Sequence, residues 1–272
     1  MSENKFNIAV LIDGDNAQAK LVKEIIEEVS IYGKATIRRI YGDWTTPQMN
    51  SWKDIINQYS ISPIQKFSYT TGKNSTDSSL IIDAMDILHS ERIDGFCIVS
   101  SDSDYTGLAK RIREEGLFVM GIGKRTTPIA FVNSCEIFTF TENLVADVPV
   151  KKIEIEDKEN TKPTVVKKAK KVVKAQKDIK VENTKSPETE KTDNNYPKLD
   201  LSIIDKAFQI SANEDEQAYV AHVGLNLRKI DPSFDPRTYG FKTLTKMFEI
   251  LKKYDIIKNE VNGLNQPIVK LK

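Results

Sequence analysis

Ile8-Ala9-Val10-Leu11-Ile12-Asp13-Gly14-Asp15-Asn16 is the stretch whose reading decides the fold. A short apolar run of this kind reads as a buried strand, and it stops abruptly at acidic and turn-forming residues. In an open α/β sheet, ligands bind outside the carboxyl ends of the strands, which puts Asp13 at the mouth of a crevice. Gly95-Phe96-Cys97-Ile98-Val99, followed by Ser100-Ser101-Asp102-Ser103-Asp104, repeats the design. Two buried strands that each release carboxylates at their ends can surround one shared site. The expectation is a metal site.

Around these runs the pattern alternates. Leu21, Val22, Ile25, Ile26 and Val29 recur at helical spacing within residues 18–32, with Gly33 as the stop. Residues 34–41 alternate as a strand, Thr46-Pro47 opens a second helix, and residues 62–67 form a short strand. A third helix spans about residues 75–89, with Leu80, Ile81, Ala84, Met85 and Leu88 as its buried stripe. Helix is expected over residues 105–115, strand over 117–122, a short helix over 128–132 and a last strand over 136–140. This β-α rhythm predicts a mostly parallel sheet covered by helices.

The chain of 272 residues is long enough for two cores, and a formal net charge of +1 assigns no partner by itself. Cys97 and Cys135 read as buried free thiols of a reducing compartment. Residues 1–5 carry no apolar signal core, and no run approaches the ~18 apolar residues of a membrane span. A soluble, cytoplasmic protein is expected. His89 and His222 have no partners at metal spacing, which gives no support to a nucleophile–histidine mechanism.

After about Val148 the aromatics and the periodicity disappear, and residues 149–196 read as a disordered linker. Residues 162–180 hold eight lysines against Asp178 alone, consistent with a solubilising spacer or with an arm attracted to phosphates. From residue 197 to 272, helices are expected around Leu201–Ile210, Ala218–Leu227 and Tyr239–Tyr254. A β-hairpin turning at Asn262-Gly263 follows. Three helices and a hairpin are the order of a winged helix.

The acidic residues that can share the crevice are Asp13, Asp15, Asp77, Asp83, Asp102 and Asp104. Mg²⁺ and Mn²⁺ are hard cations that take oxygen ligands, and converging carboxylates repel one another unless a cation neutralises them. Asn16 can orient a water or a phosphate through its amide, and Ser100 and Ser101 can hydrogen-bond a carboxylate or a phosphate. Asp15 and Asn16 also suit a turn and a helix cap, Asp77 and Asp104 suit helix starts, and Asp83 suits a solvated face.

Three motifs together, Ile12-Asp13-Gly14-Asp15-Asn16, Asp77 at the head of a helix, and Val99-Ser100-Ser101-Asp102-Ser103-Asp104-Tyr105, resemble the NYN domain. This is a branch of the PIN-like nucleases that includes LabA-like proteins. The resemblance covers about residues 5–145 and implies a PIN-like, Rossmannoid α/β/α sandwich with metal-dependent RNA cleavage in active members. It implies Asp13, Asp77, Asp102 and Asp104 as metal-binding acids, with Asn16 assisting. Before Asp77 this chain has Gly72-Lys73-Asn74-Ser75-Thr76, where many relatives carry Gly-Val. Residues Gly224-Leu225, Asp231 to Phe241, Leu244 and Phe248 resemble the LOTUS (OST-HTH) module, which implies RNA binding or docking of a protein partner.

The reading at this point is a domain of residues 1–148 that cleaves RNA with Mg²⁺ or Mn²⁺, a linker of residues 149–196, and a winged helix of residues 197–272. Lys73, Lys124, Arg125, Lys242 and Lys246 are the residues expected to meet RNA. Two alternatives stay open. One is a non-catalytic RNA-binding scaffold. The other is a haloacid dehalogenase-type phosphatase, in which Asp13 of the Asp-Gly-Asp motif would be the nucleophile.

Overall fold

The computed structural model describes residues 6–66, 75–90, 92–145, 196–261 and 264–272. Lys73, the lysine-rich segment and the Asn262-Gly263 turn lie outside the described residues. Among the described residues, the amino-terminal part runs β1 (Asn7–Asp13), α1 (Val22–Ser30), β2 (Lys34–Gly42), α2 (Lys53–Gln58), β3 (Ser62–Gln65), α3 (Ser75–His89) and β4 (Gly95–Val99). It continues with α4 (Thr106–Glu114), β5 (Phe118–Gly123), α5 (Ile129–Ser134), β6 (Ile137–Phe140) and α6 (Thr141–Val145).

The six described strands form one sheet in the order β3-β2-β1-β4-β5-β6. All neighbouring pairs are parallel. The chain steps outward from β1 to β3, returns through α3, and then steps outward the other way from β4. That reversal opens a crevice at the carboxyl ends of β1 and β4.

The reason β1 holds the centre is visible in its side chains. Ile8 to Ile12 are all 0% exposed. Ala9 and Leu11 pack on Leu80, Ala84 and Leu108 of α3 and α4, whereas Ile8, Val10 and Ile12 pack on Val22, Ile25, Val29 and Trp52. A strand covered on both faces reads as a continuous apolar run. The α/β class and the parallel sheet are therefore as expected.

The differences are local. The helices expected from Gln18 and Thr46 both begin as 3-10 turns, Ala19–Leu21 and Pro47–Trp52. Thr46 Oγ1 donates to the Asp43 carbonyl at 2.9 Å instead of capping the turn. The sequence pattern did not anticipate α6.

The carboxyl-terminal part contains α7 (Leu201–Ser211), β7 (Gln217–Tyr219), α8 (Val220–Ile230), α9 (Leu244–Ile250), β8 (Tyr254–Ile257), β9 (Glu260–Val261), β10 (Leu264–Asn265) and β11 (Ile268–Leu271). Among the described residues, β7, β11 and β8 make an antiparallel sheet. Two expectations are corrected. Residues 217–219 pair with β11 before the second helix starts. The third helix is also much shorter than residues 239–254, because Gly240 turns left-handed at φ 82° and Thr243 caps a new start by accepting the Lys246 amide. Tyr254 lies in β8 with its ring 5.2 Å from those of both Phe208 and Phe248.

The described residues of the two parts belong to one compact unit. The Phe138 amide on β6 donates to the Pro232 carbonyl at 2.8 Å, and Asn143 Nδ2 donates to Thr238 Oγ1 at 2.8 Å. Arg237 links Glu28 of α1, at 2.9 Å, to its near neighbour Asp235, at 2.6 Å. Thr139 Oγ1 donates to the same Glu28 carboxylate at 3.2 Å. Burial works against the Arg237 charge, but the bonds and charges of Asp235 and Glu28 outweigh it and raise its pKa. No helix among the described residues is long and apolar enough to cross a membrane.

Glu28 is 5% exposed, so removing its cation strands a buried carboxylate. Arg237→Met is expected to lower unfolding stability by about 3 kcal/mol. Urea titration of the full chain checks this, and an unchanged midpoint would show that the ion pair contributes nothing.

Candidate metal centre

The site begins where β1 runs out. The Gly14 amide donates to the Tyr41 carbonyl at 2.9 Å. A Cβ on Gly14 would sit 2.7 Å from both that oxygen and Met49 Cε. The residue between the two acids is glycine because β2 leaves no room for more.

Asp13 is 0% exposed. Its Oδ1 accepts the Asp15 amide at 3.1 Å, and its Oδ2 accepts Asn16 Nδ2 at 2.7 Å and Ser100 Oγ at 2.8 Å. Burial pushes the Asp13 carboxyl above the usual carboxylate range, while the bonds from Asn16, Ser100 and the Asp15 amide pull it back. Ser100, directly after β4, also accepts the Asp102 amide at 3.1 Å. Asp102 caps the short turn Ser103–Tyr105, its Oδ1 accepting the Asp104 amide at 3.0 Å. The ends of β1 and β4 are thus joined by one hydrogen-bond chain.

Asp77 enters from the first turn of α3, where the helix dipole favours a negative charge. Its Oδ1 accepts the hydroxyl of fully buried Tyr105 at 2.7 Å. One carboxylate oxygen from each of Asp77, Asp102 and Asp104 lies within 4.8 Å of the other two. Burial raises the Asp77 pKa, the Tyr105 bond lowers it, and the charges of Asp13, Asp102 and Asp104 raise it again. Three hard oxygen donors in mutual repulsion fit a divalent cation such as Mg²⁺ or Mn²⁺.

The other expected residues fall around this triad in different ways. Asp13 is not one of the three, although its charge reaches Asp77. Asp15 Oδ2 accepts Thr76 Oγ1 at 2.9 Å, which ties the β1 turn to the head of α3. Asp83 is held by Arg39 and Tyr41 of β2 and braces α3 against the sheet. Ser101 Oγ accepts the Lys124 amide at 2.8 Å. A hollow of 10 Å³ lined by Asn16, Ser100, Ser101 and Lys124 has room for about one water.

Among the expected cations, Lys124 and Lys242 are exposed. Arg125 donates to Asn143 Oδ1 at 3.2 Å and Lys246 pairs with Glu249 at 2.7 Å. Sequence reasoning missed Thr76 and Tyr105 as partners of the acids. For Tyr105 the signal was its place immediately after Asp104. The arrangement also bears on the phosphatase alternative: Asp13 is fully buried and its Oδ2 accepts from both Asn16 and Ser100, which disfavours it as an exposed nucleophile.

The NYN domain family matches residues 7–144, and the OST-HTH/LOTUS domain family matches residues 202–265. A solved structure of a protein of unknown function from Vibrio parahaemolyticus is similar over 54% of this chain and 97% of its own length, with 18% identity and a TM-score of 0.44. The comparison with curated proteins gives no match.

The crowding of Asp77 has a measurable consequence. Well below its ordinary pKa of 3.8, the carboxyl is protonated in both folded and unfolded chains and costs nothing. As pH rises through the elevated folded pKa, the fold must hold a charge it disfavours, and stability falls. Asp77→Asn keeps an oxygen for Tyr105 and is expected to unfold at a higher temperature than wild type at pH 7 in EDTA. The gain should shrink toward pH 4. Thermal unfolding at the two pH values checks it, and equal midpoints at pH 7 would remove the repulsion.

Proposed function

Because the chain belongs to the NYN domain family, we propose that it is a divalent-metal-dependent endoribonuclease whose carboxyl-terminal OST-HTH/LOTUS domain binds RNA. The observation that carries the reading is the convergence of Asp77, from the head of α3, with Asp102 and Asp104, from the turn after β4. These three residues would hold Mg²⁺ or Mn²⁺. A cation bound there supplies Lewis-acid stabilisation of the charge that develops on phosphoryl oxygens.

The remaining residues of the site position and orient. Asp13 aligns Asn16 and Ser100, and through Ser100 the loop that carries Asp102. Tyr105 fixes the rotamer of Asp77. Lys124, exposed beside the hollow, would meet a phosphate, and Lys242, exposed on the carboxyl-terminal domain, would do the same there. The domain plan we propose is residues 1–148 for cleavage and 197–272 for RNA. The two buried free thiols suit a cytoplasmic setting.

The test is cleavage of labelled single-stranded RNA with Mn²⁺ or Mg²⁺ by wild type, Asp102→Asn and Asp104→Asn. We expect internal fragments that vanish in EDTA, and a loss of roughly 100-fold or more in each variant. RNA bound but uncleaved with either metal would identify a scaffold. Turnover of a small phosphate ester alone would restore the phosphatase.

A further inference from the structure

The amino ends of β5 and β6 carry a feature that the acidic site does not use. A cleft of 730 Å³ lies between the two parts of the chain, lined by Tyr32, Arg113, Phe118, Leu225, Arg228 and Lys229 among others. Such a volume falls in the range of about 300–1,000 Å³ usual for binding clefts. Phe118 and Ile137 are the first residues of their strands, whereas the acidic triad sits at the opposite, carboxyl ends of the sheet. The length of β5 puts roughly 20 Å between the two ends.

The lining combines charge with flat apolar surface. Lys229 and Arg113 are exposed, and Lys229 makes no ion pair among the described residues. Arg228 lies 5.6 Å from the centroid of the Tyr32 ring, and the Tyr32 and Phe118 rings stand 6.0 Å apart. Leu225 is 59% exposed beside them and adds apolar surface to the lining. The opposing charge is Glu136, whose ionised form is disfavoured by burial and favoured by nearby Arg113. Among the lining side chains three cations stand with one carboxylate; Arg113 Nη1 also donates to the Asn133 and Ser134 carbonyls, and the Glu28 and Asp235 charges reach Tyr32. Single strands are held by this combination, a positively charged groove for the backbone and aromatic or apolar faces for the bases.

We propose that the cleft between α8 and the amino ends of β5 and β6 is a second RNA site, holding a single-stranded segment away from the bond to be cut. Lys229, Arg228 and Arg113 take the phosphates, and a base rests on the surface of Leu225, Tyr32 and Phe118. The proposal rests on RNA being the substrate class proposed above. It gives the carboxyl-terminal domain a specific part in binding, because neither domain forms the cleft alone.

The experiment is binding of a labelled oligouridylate of about ten nucleotides to the full chain in EDTA, over a range of salt. Lys229→Glu is expected to weaken binding roughly fivefold or more and to lower the salt slope by about 0.7 or more. Arg228→Ala is expected to weaken it as well, and Lys270→Glu, outside the cleft, to leave it unchanged. Wild-type affinity in Lys229→Glu, or an equal loss in Lys270→Glu, would overturn the proposal. So would unchanged RNA affinity together with lost binding of polyglutamate, which would assign the cleft to an acidic protein segment. If Lys229→Glu binds normally while Asp104→Asn abolishes cleavage, the cleft falls and the nuclease stands. If binding depends on Lys229 but no metal supports cleavage, the nuclease falls and the cleft stands.

Discussion

A carboxylate buried without partners costs several kcal/mol or gives up its charge. Asp13, at the end of a strand with no exposure, is kept in place by an amide, a carboxamide and a hydroxyl. Those three donors come from the turn after β1 and from the first residue after β4. The constraint on one side chain therefore aligns the two strand ends between which the sheet order reverses. The apolar run that places Asp13 there is the same run that organises both hydrophobic layers. Fold and site share one cause.

The triad beyond Asp13 is arranged on the opposite principle. One carboxylate oxygen of each of Asp77, Asp102 and Asp104 lies within 4.8 Å of the other two, and the part of the cluster nearest solvent, Asp104, is exposed. The surrounding structure over-determines their positions: Tyr105 grips Asp77, Thr76 ties the head of α3 to Asp15, and Asp83 anchors the same helix to β2 through Arg39 and Tyr41. Rigid support around a repulsive centre is what a cation-binding site requires, because the ligands must not spread apart when the ion is absent. Asp83 belongs to the support and not to the centre, which explains why an acid on α3 can matter without touching the triad.

What was legible in the sequence follows from which forces are local. The apolar runs of β1 and β4, the helix stripes and the acids after each strand lie within a few residues of one another, and the parallel sheet could be read from them. Asp83 could not be assigned, because its partners Arg39 and Tyr41 are 44 and 42 residues away. Glu28 is harder still. Glu27 and Glu28 are neighbours on one helix, yet Glu27 makes an exposed pair with Lys23 while Glu28 is buried against Arg237, 209 residues distant. The helical period puts Glu28 on the stripe of Leu21 and Ile25 and Glu27 over Lys23, but it cannot name the cation that makes a buried carboxylate tolerable. The third helix of the carboxyl-terminal part was overextended for a different reason: residues 239–254 have helical spacing of apolar groups, but the backbone at Gly240 ends one turn and Thr243 begins another.

Direct contact between the two parts changes how their cooperation is understood. A tether alone raises the effective concentration of a bound ligand but leaves its direction free. Here β6, the edge of the described sheet, gives its Phe138 amide to Pro232, and the polar groups of Glu28, Thr139 and Asn143 find their partners on the carboxyl-terminal side or beside it. Covering an edge strand also protects it from pairing with other chains. Because these contacts run from Pro232 to Thr238, they set one orientation for α8 and the cleft it borders. If RNA occupies that cleft, its position relative to the acids would depend on the interface that orients α8.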